Sequence, residues 1–304
     1  MSLTRRRFLT ISAVAATLPV ALSARPAAPH WVGQALGARA SIRLDHPKAA
    51  EITARCLAEI DRLEDILSLY RPDSALSRLN RDGRLEAPPF ELLDCLTLAR
   101  AVHRASDGRF DVTVQPLWAL WAKAATAGRR PTTTERQAAL AVTGADRLHL
   151  SPQAITLKPG MAVTLNGIGQ GYVADRVAAL LAGEGLTDIL IDTGELHAMG
   201  GRPDGAAWQV GTGSGRVVPL RERAMATSAP LGTTFDAAGR DGHILDPRTG
   251  APTASTWREI SISSSSAALA DALTTAAVLT PDRAGIDALL TAFPGTRLEE
   301  LVPA

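Results

Sequence analysis

The sequence predicts an α+β fold in which mixed sheets pack against helices. Segments with apolar residues at helical spacing, at 49–69, 90–105, 173–181 and 267–279, are interleaved with short strand-like runs. The strands do not alternate strictly with the helices, and this argues against a doubly wound parallel sheet. At 304 residues with 46% hydrophobic content the chain can bury a large core, as one domain of two lobes or as two domains. It shows no internal repeat.

In chain order, 37–44 reads as a strand and 49–69 as a helix, followed by a loop at 68–80 around Arg71-Pro72-Asp73. A second helix at 90–105 stops before Asp107-Gly108, a good helix terminator. Pro116 interrupts the stretch 110–118, which therefore reads as no long regular element. An exposed loop at 126–134 enters a short helix, and 147–150 and 154–157 read as paired strands around Ser151-Pro152-Gln153. From Asn166 a glycine-rich loop opens the helix through 181, followed by strands at 189–193, 208–211 and 217–220. The serines at 263–266 read as an N-cap cluster for a closing helix at 267–279.

Composition excludes some functions. The formal net charge is +1 and the arginines are scattered, so no basic stripe exists to hold nucleic acid, and 4% aromatic residues give no base-stacking platform. The run Thr4-Arg5-Arg6-Arg7-Phe8-Leu9 resembles a twin-arginine export signal, with an apolar run from Ile11 to Leu22 and small residues suited to cleavage behind it. That run falls short of the roughly 20 residues needed to span a bilayer. Residues 1–28 are therefore expected to be a signal peptide and 29–304 the mature periplasmic domain. Cys56 and Cys95 each fall on the apolar face of an expected helix and read as small buried hydrophobes, with a disulfide left open by their spacing.

Three segments carry chemistry. The loop Gly242-His243-Ile244-Leu245-Asp246-Pro247-Arg248-Thr249-Gly250 brings an imidazole, a carboxylate, a guanidinium and a hydroxyl into one turn-prone stretch after a short strand, although Asp-Pro-x-x-Gly is also an ordinary turn. Asn166-Gly167-Ile168-Gly169-Gln170-Gly171-Tyr172-Val173-Ala174-Asp175 places bare N–H groups at a helix start, which suits either a phosphate or tight packing. In Ala270-Asp271-Ala272-Leu273-Thr274-Thr275, Asp271 and Thr275 share a helix face and could offer oxygens to one hard cation, or lie on a solvated face with Thr275 bonded back to the helix.

These segments, taken with Tyr70-Arg71-Pro72-Asp73-Ser74-Ala75-Leu76-Ser77-Arg78-Leu79-Asn80, Gly108-Arg109-Phe110-Asp111-Val112-Thr113, Asp192-Thr193-Gly194-Glu195 and Ala226-Thr227-Ser228, resemble the ApbE family of FAD:protein FMN transferases. The family's usual Asp-x-Gly-Gly-Ile-Ala-Lys-Gly-Tyr is varied: Thr164 replaces the leading Asp, Asn166 the first Gly and Gln170 the Lys. The Gln form resembles a subgroup associated with nitrous oxide reductase maturation. The resemblance implies a flavin cleft between the two lobes, with FAD contacts from Leu36, Tyr70, Arg109, Phe110, Asp111, Thr164, Gln170 and His243. It implies Mg²⁺ held by Asp271, Thr275 and the Gly167 carbonyl, with His243 as the catalytic group and Glu195 as a lesser acid/base candidate. The implied reaction moves FMN from FAD to a threonine hydroxyl of an acceptor flavoprotein, membrane-bound with a periplasmic flavin domain, and releases AMP. Two other readings stay open on the residues alone: an assembly factor or carrier that holds FAD without turning it over, and an FAD pyrophosphatase.

Overall fold

The computed structural model describes residues 30–43 and 46–304, so the expected signal peptide at 1–28 lies outside the described residues. Strands β1 (His30–Ala35) and β2 (Ala38–Arg43) form an antiparallel hairpin turned at Leu36 and Gly37, both left-handed with φ +48° and +83°. Helix α1 (Ala49–Leu67) buries Ile52, Cys56, Ile60, Leu63 and Leu67 along one stripe, as its spacing predicts.

The loop expected at 68–80 is half helix. In α2 (Ala75–Asp82), Ser74 caps the start by accepting the Ser77 N–H, and left-handed Gly83 ends it. Eight residues bracketed by Pro72-Asp73 and two arginines are too short for a periodic signal, yet Ala75, Leu76 and Leu79 are buried. After β3 (Arg84–Glu86) comes α3 (Phe90–Ala105), which buries Cys95 and stops before Asp107-Gly108 as predicted. Both cysteines are free thiols.

Pro116 does not break an element but starts one. It sits in the first turn of α4 (Gln115–Thr126), just after a short 3-10 turn at Val112–Val114. A first-turn residue needs no N–H, and the fixed φ of proline suits that position. Helix α5 (Thr133–Ala141) begins with a Thr132/Glu135 capping box. The pair β4 (His149–Leu150) and β5 (Ala154–Thr156) forms as expected and joins β3 in a small sheet.

The glycine-rich loop opens α6 (Gly169–Gly183), followed by β6 (Ile189–Asp192) and β7 (Leu196–Met199), with the turn Thr193-Gly194-Glu195 between them. The hairpin β8 (Trp208–Gly211) and β9 (Val217–Leu220) precedes β10 (Arg223–Ser228). The strand expected before the His243 loop lies within it instead. Strands β11 (Leu245–Asp246) and β12 (Ala251–Pro252) flank Pro247-Arg248-Thr249-Gly250, so Asp-Pro-x-x-Gly is the turn of a short hairpin. The serine cluster also divides: Ser263 and Ser264 belong to β13 (Trp257–Ser264), and Ser266 alone caps α7 (Ala267–Val278) by accepting from Leu269 N–H. Helix α7 does not close the chain. Helix α8 (Arg283–Thr291) and β14 (Arg297–Pro303) follow, and β14 completes a seven-stranded sheet of order β1-β2-β6-β7-β10-β13-β14.

The pairings between the strands of this sheet are antiparallel, and α6 and α7 cover it with the large apolar core. Two satellite clusters lie apart. Leu190, Ala198, Val210, Val218, Leu220 and Met225 seat the β8–β9 hairpin, and Leu117, Trp121 and Leu245, with Trp118 and Phe235 against them, seat the His243 loop. Trp121 Nε1–H also donates to the Gly250 carbonyl at 2.8 Å.

Helices α6 and α7 meet with no slack at their N-terminal ends. A Cβ at Gly171 would stand 2.3 Å from the Ala267 carbonyl oxygen and 2.6 Å from the Ala268 nitrogen. Alanine would gain about 1 kcal/mol of helix propensity there, but it would force two backbones apart. We expect Gly171→Ala to destabilise the protein by about 1–3 kcal/mol, read as a lower urea midpoint; an unchanged or higher midpoint would show that α7 yields freely.

Candidate active site

The chemistry-bearing residues gather around the start of α6. Leu36 Cδ1 lies 3.0 Å from where a Cβ of Gly169 would stand, and its left-handed backbone is held by a 2.7 Å hydrogen bond from Leu36 N–H to Glu64 Oε1. Glu64 in turn pairs with Arg71, next to Tyr70. Tyr70 is 54% exposed, but its hydroxyl end is covered: burial raises its pKa against a hydrogen bond with the Asn166 side chain. Leu36 and Tyr70, distant in sequence, therefore reach the same glycine-rich loop. Thr164 begins that loop, its hydroxyl accepting from Asn166 N–H at 3.2 Å. Gln170 is half-buried; its carbonyl accepts from the Thr193 hydroxyl at 2.9 Å, and its side chain has no hydrogen-bond partner among the described residues.

A Cβ at Gly167 would lie 3.0 Å from Thr275 Oγ1 and 3.4 Å from the Phe110 ring, so these three expected site residues meet. Arg109, beside Phe110, donates to the Ser106 carbonyl, while its Nε is buried without a partner. Asp111 has a different place. Its carboxylate accepts from Thr113 N–H and Oγ1 at 2.7 and 2.5 Å and from Ala145 N–H at 3.0 Å. These bonds tie the 3-10 turn to the 144–145 segment, so Asp111 shapes the backbone that carries Phe110.

The Thr274-Thr275 pair divides its labour. Thr274 is fully buried and bonds back to the Asp271 carbonyl at 2.9 Å while accepting from the Ser228 hydroxyl. The Thr275 hydroxyl makes no hydrogen bond among the described residues and is available, whereas the back-bonding considered for Thr275 belongs to its neighbour. Asp271 is buried, with a single long hydrogen bond of 3.5 Å from Gly171 N–H. Burial pushes its carboxyl up to about 8 against that bond. Glu195 is raised well above the usual carboxylate range by burial, then by the neighbouring Asp271, with Asp192 adding to this.

Among the described residues Asp271 has no basic partner, and a buried carboxylate in that state calls for a proton or a cation. Among the described residues no group of three or more His, Cys, Asp or Glu is placed to hold a metal. The donors here are of another kind: one carboxylate, one free hydroxyl and the backbone of a glycine-rich loop. This all-oxygen set fits a hard cation that keeps several waters or phosphate oxygens of its own.

His243 is held within its own loop. Its ring Nδ1 lies 3.1 Å from the Thr233 carbonyl, which can only accept, so in that bond Nδ1 carries the hydrogen. Burial lowers its pKa below 6.5, against the Thr233 and Pro230 carbonyls, and the imidazole is neutral at pH 7. From His243 the chain of contacts runs through Pro230, whose carbonyl abuts Gly242, to Ser228 and so to Thr274. On the other side Asp246 grips Arg248 through two bonds of 2.9 and 2.7 Å. Burial would raise the Asp246 carboxyl, but Arg248 first and Arg109 further off hold it below its usual range, which places Arg109 beside this hairpin.

Sequence reasoning assigned no role to Asp175 or His197. Asp175 accepts from Ser266 Oγ, Ala267 N–H and Ala268 N–H at 2.7, 2.7 and 3.1 Å, and from His197 Nδ1 at 2.9 Å. Its spacing of four from Gly171 was the available signal, since the two share one helix face.

Comparison with known proteins identifies the family. The chain matches the ApbE family over residues 36–295. It is 30% identical to the FAD:protein FMN transferase of Salmonella typhimurium over 256 residues, covering 77% of this chain and 73% of that one. It is also 30% identical to the Escherichia coli enzyme of the same name over 267 residues, or 81% and 76% of the two chains. The apo crystal structure of the Pseudomonas stutzeri flavinyl transferase ApbE superposes with a TM-score of 0.75 at 26% identity, covering 86% of each chain. With the match spanning most of its length, the chain belongs to the ApbE family.

Proposed function

We propose that this protein is an FAD:protein FMN transferase that moves FMN from FAD to a threonine hydroxyl of an acceptor flavoprotein. The observation that carries this reading is the approach of the free Thr275 hydroxyl to Gly167 in the loop that opens α6, with buried Asp271 one turn before Thr275 on α7 and against Gly171 N–H. The positive dipole end at the start of α6 suits the pyrophosphate, with Gly169 and Gly171 N–H already given to the Leu165 carbonyl and Asp271, and Leu36, Tyr70 and Phe110 offer apolar surface to the flavin.

In the reaction the acceptor hydroxyl gives its proton to His243 Nε2, and its oxygen bonds to the phosphorus on the FMN side of the pyrophosphate. The bond from that phosphorus to the bridging oxygen breaks, and AMP leaves with that oxygen. His243 suits the role because burial keeps it unprotonated at neutral pH and Thr233 holds its ring. Asp271, Thr275 and the Gly167 carbonyl would hold Mg²⁺, which withdraws charge from the pyrophosphate when bound. Arg109, whose Nε is buried without a partner, and Gln170 would orient the phosphates.

The Arg5-Arg6 signal supports a periplasmic location reached by the twin-arginine route. The Gln170 form supports a place in nitrous oxide reductase maturation, with a membrane-bound acceptor whose flavin domain faces the periplasm.

Three outcomes test this reading. Because the folded pKa of His243 is lowered, its base form is lost only as pH falls through a value below 6.5. The single-turnover transfer rate should therefore show an acid limb with its midpoint below 6.5. His243→Ala should flatten that limb and lower the rate by about 10²–10⁴ with little change in FAD affinity, and normal transfer at saturating FAD would remove His243 from the chemistry. Asp271→Ala should abolish transfer at low magnesium, measured as mass added to the acceptor; full transfer there would end the metal assignment. Replacing Arg5 and Arg6 together by lysine should leave precursor in the cytoplasm on fractionation, and an unchanged periplasmic yield would point to another route.

A further inference from the structure

The carboxylate of Asp175 has no role in the steps above, yet it is held more firmly than the groups that do. It takes three donors from the first turn of α7 (Ser266 Oγ, Ala267 N–H, Ala268 N–H) and a fourth from His197 Nδ1. The helix is already capped from within, by Ser266 on Leu269 N–H at 3.2 Å, so Asp175 is a second cap supplied by a different helix.

The arrangement is reciprocal. The α6 carboxylate, Asp175, sits on the N-terminus of α7, and the α7 carboxylate, Asp271, sits against Gly171 N–H at the N-terminus of α6. Gly171 removes the one side chain that would separate them. Asp271 is four residues beyond Ala267, about one helical turn along the same face. A shift or rotation of the α7 start is thus passed to Asp271, and to Thr275 one turn further on, with no intervening loop to absorb it.

His197 anchors the carboxylate to the sheet. It lies on β7, opposite Ile191 of β6 and Ala224 of β10, two residues after Glu195. The turn before it also bonds to α6, through Thr193 Oγ1 and the Gln170 carbonyl. The sheet thereby fixes α6 at Gln170 and at Asp175, one on each side of Gly171.

We propose that Asp175, oriented by His197, is a positioning residue that sets the affinity of the Asp271–Thr275 site for its divalent cation. It touches neither cation nor substrate, and acts by fixing the first turn of the helix that carries both ligands. This inference rests on the metal-site reading above. Groups of this kind behind a metal ligand are typically worth about 10–100-fold in affinity.

The test is Mn²⁺ binding by the purified protein, followed by loss of the free-ion electron paramagnetic resonance signal, with and without FAD and alongside a thermal melt. Asp175→Asn keeps the size but turns an amide N–H toward donors, and should weaken Mn²⁺ about 10-fold or more. The transfer rate at saturating Mn²⁺ should recover much further than the rate at low Mn²⁺. Should Asp175→Asn fail to fold, His197→Ala and His197→Asn decide: alanine should weaken Mn²⁺, and asparagine, whose amide can donate near the place of Nδ1, should restore it. A lower melting temperature with unchanged Mn²⁺ affinity, or equal affinity in both His197 variants, would overturn the proposal and leave Asp175 a structural cap. If Asp271→Ala bound Mn²⁺ as tightly as the unsubstituted protein, the metal-site reading itself would fail and this inference with it.

Discussion

The crossing of α6 and α7 at their N-terminal ends is the constraint on which the rest of the site depends. Two helix starts, each with unsatisfied N–H groups and a positive dipole end, would repel one another if left bare. Here each receives a carboxylate from the other helix, Asp175 on α7 and Asp271 on α6. The two bonds differ in quality. Asp175 is saturated with short bonds, while Asp271 has one of 3.5 Å and keeps its remaining acceptor capacity. One carboxylate holds the helices together, and the other is left free for chemistry.

The elements beyond the crossing bring apolar and polar surface to it from distant parts of the chain. The β1–β2 turn places Leu36 against Gly169, and Arg71 and Glu64 hold that turn from α1 and the segment before α2. Asn80 extends the same support: its side chain donates to the Val163 carbonyl and accepts from Val163 N–H at 2.8 and 2.7 Å, fixing the strand-like approach to the glycine-rich loop. The His243 loop instead rests on the small cluster of Leu117, Trp121 and Leu245, apart from the main core. On the proposed reading, a catalytic group on a separate small core could be adjusted without disturbing the residues of α7 that would hold the cation.

The helices were legible from periodicity because α1, α3, α6 and α7 each repeat apolar residues over at least three turns. What the sequence hid has physical causes. Helix α2 is too short to show a period, and α8 is announced only by Asp282 capping Gly285 N–H. Strand β13 carries buried Ser261, Ser263 and Ser264, so a hydrophobic pattern did not mark it, and Pro116 was read as a breaker where its position makes it a starter. The site residues were found through motifs, and their convergence was not, because Phe110, Gly167 and Thr275 meet only through tertiary packing. Asp111 shows the limit of the motif: it occupies the expected position, but its oxygens serve Thr113 and Ala145.

The electrostatics leave one further step. A site built around Asp271 and Glu195, with Asp192 nearby, is acidic, and the pyrophosphate of FAD is anionic as well. The helix start of α6 offsets some of that repulsion, but a dipole end is worth only about 0.3–1 kcal/mol in ordinary settings. Arg109 and Arg248 both act on Asp246, and Arg248 is already committed to it. On the proposed reading Asp271, Thr275 and the Gly167 carbonyl would hold a divalent cation whose charge would offset that of the pyrophosphate. The same cation would lower the carboxyl of Asp271 from its raised value, so metal binding should release a proton wherever the empty site is still protonated.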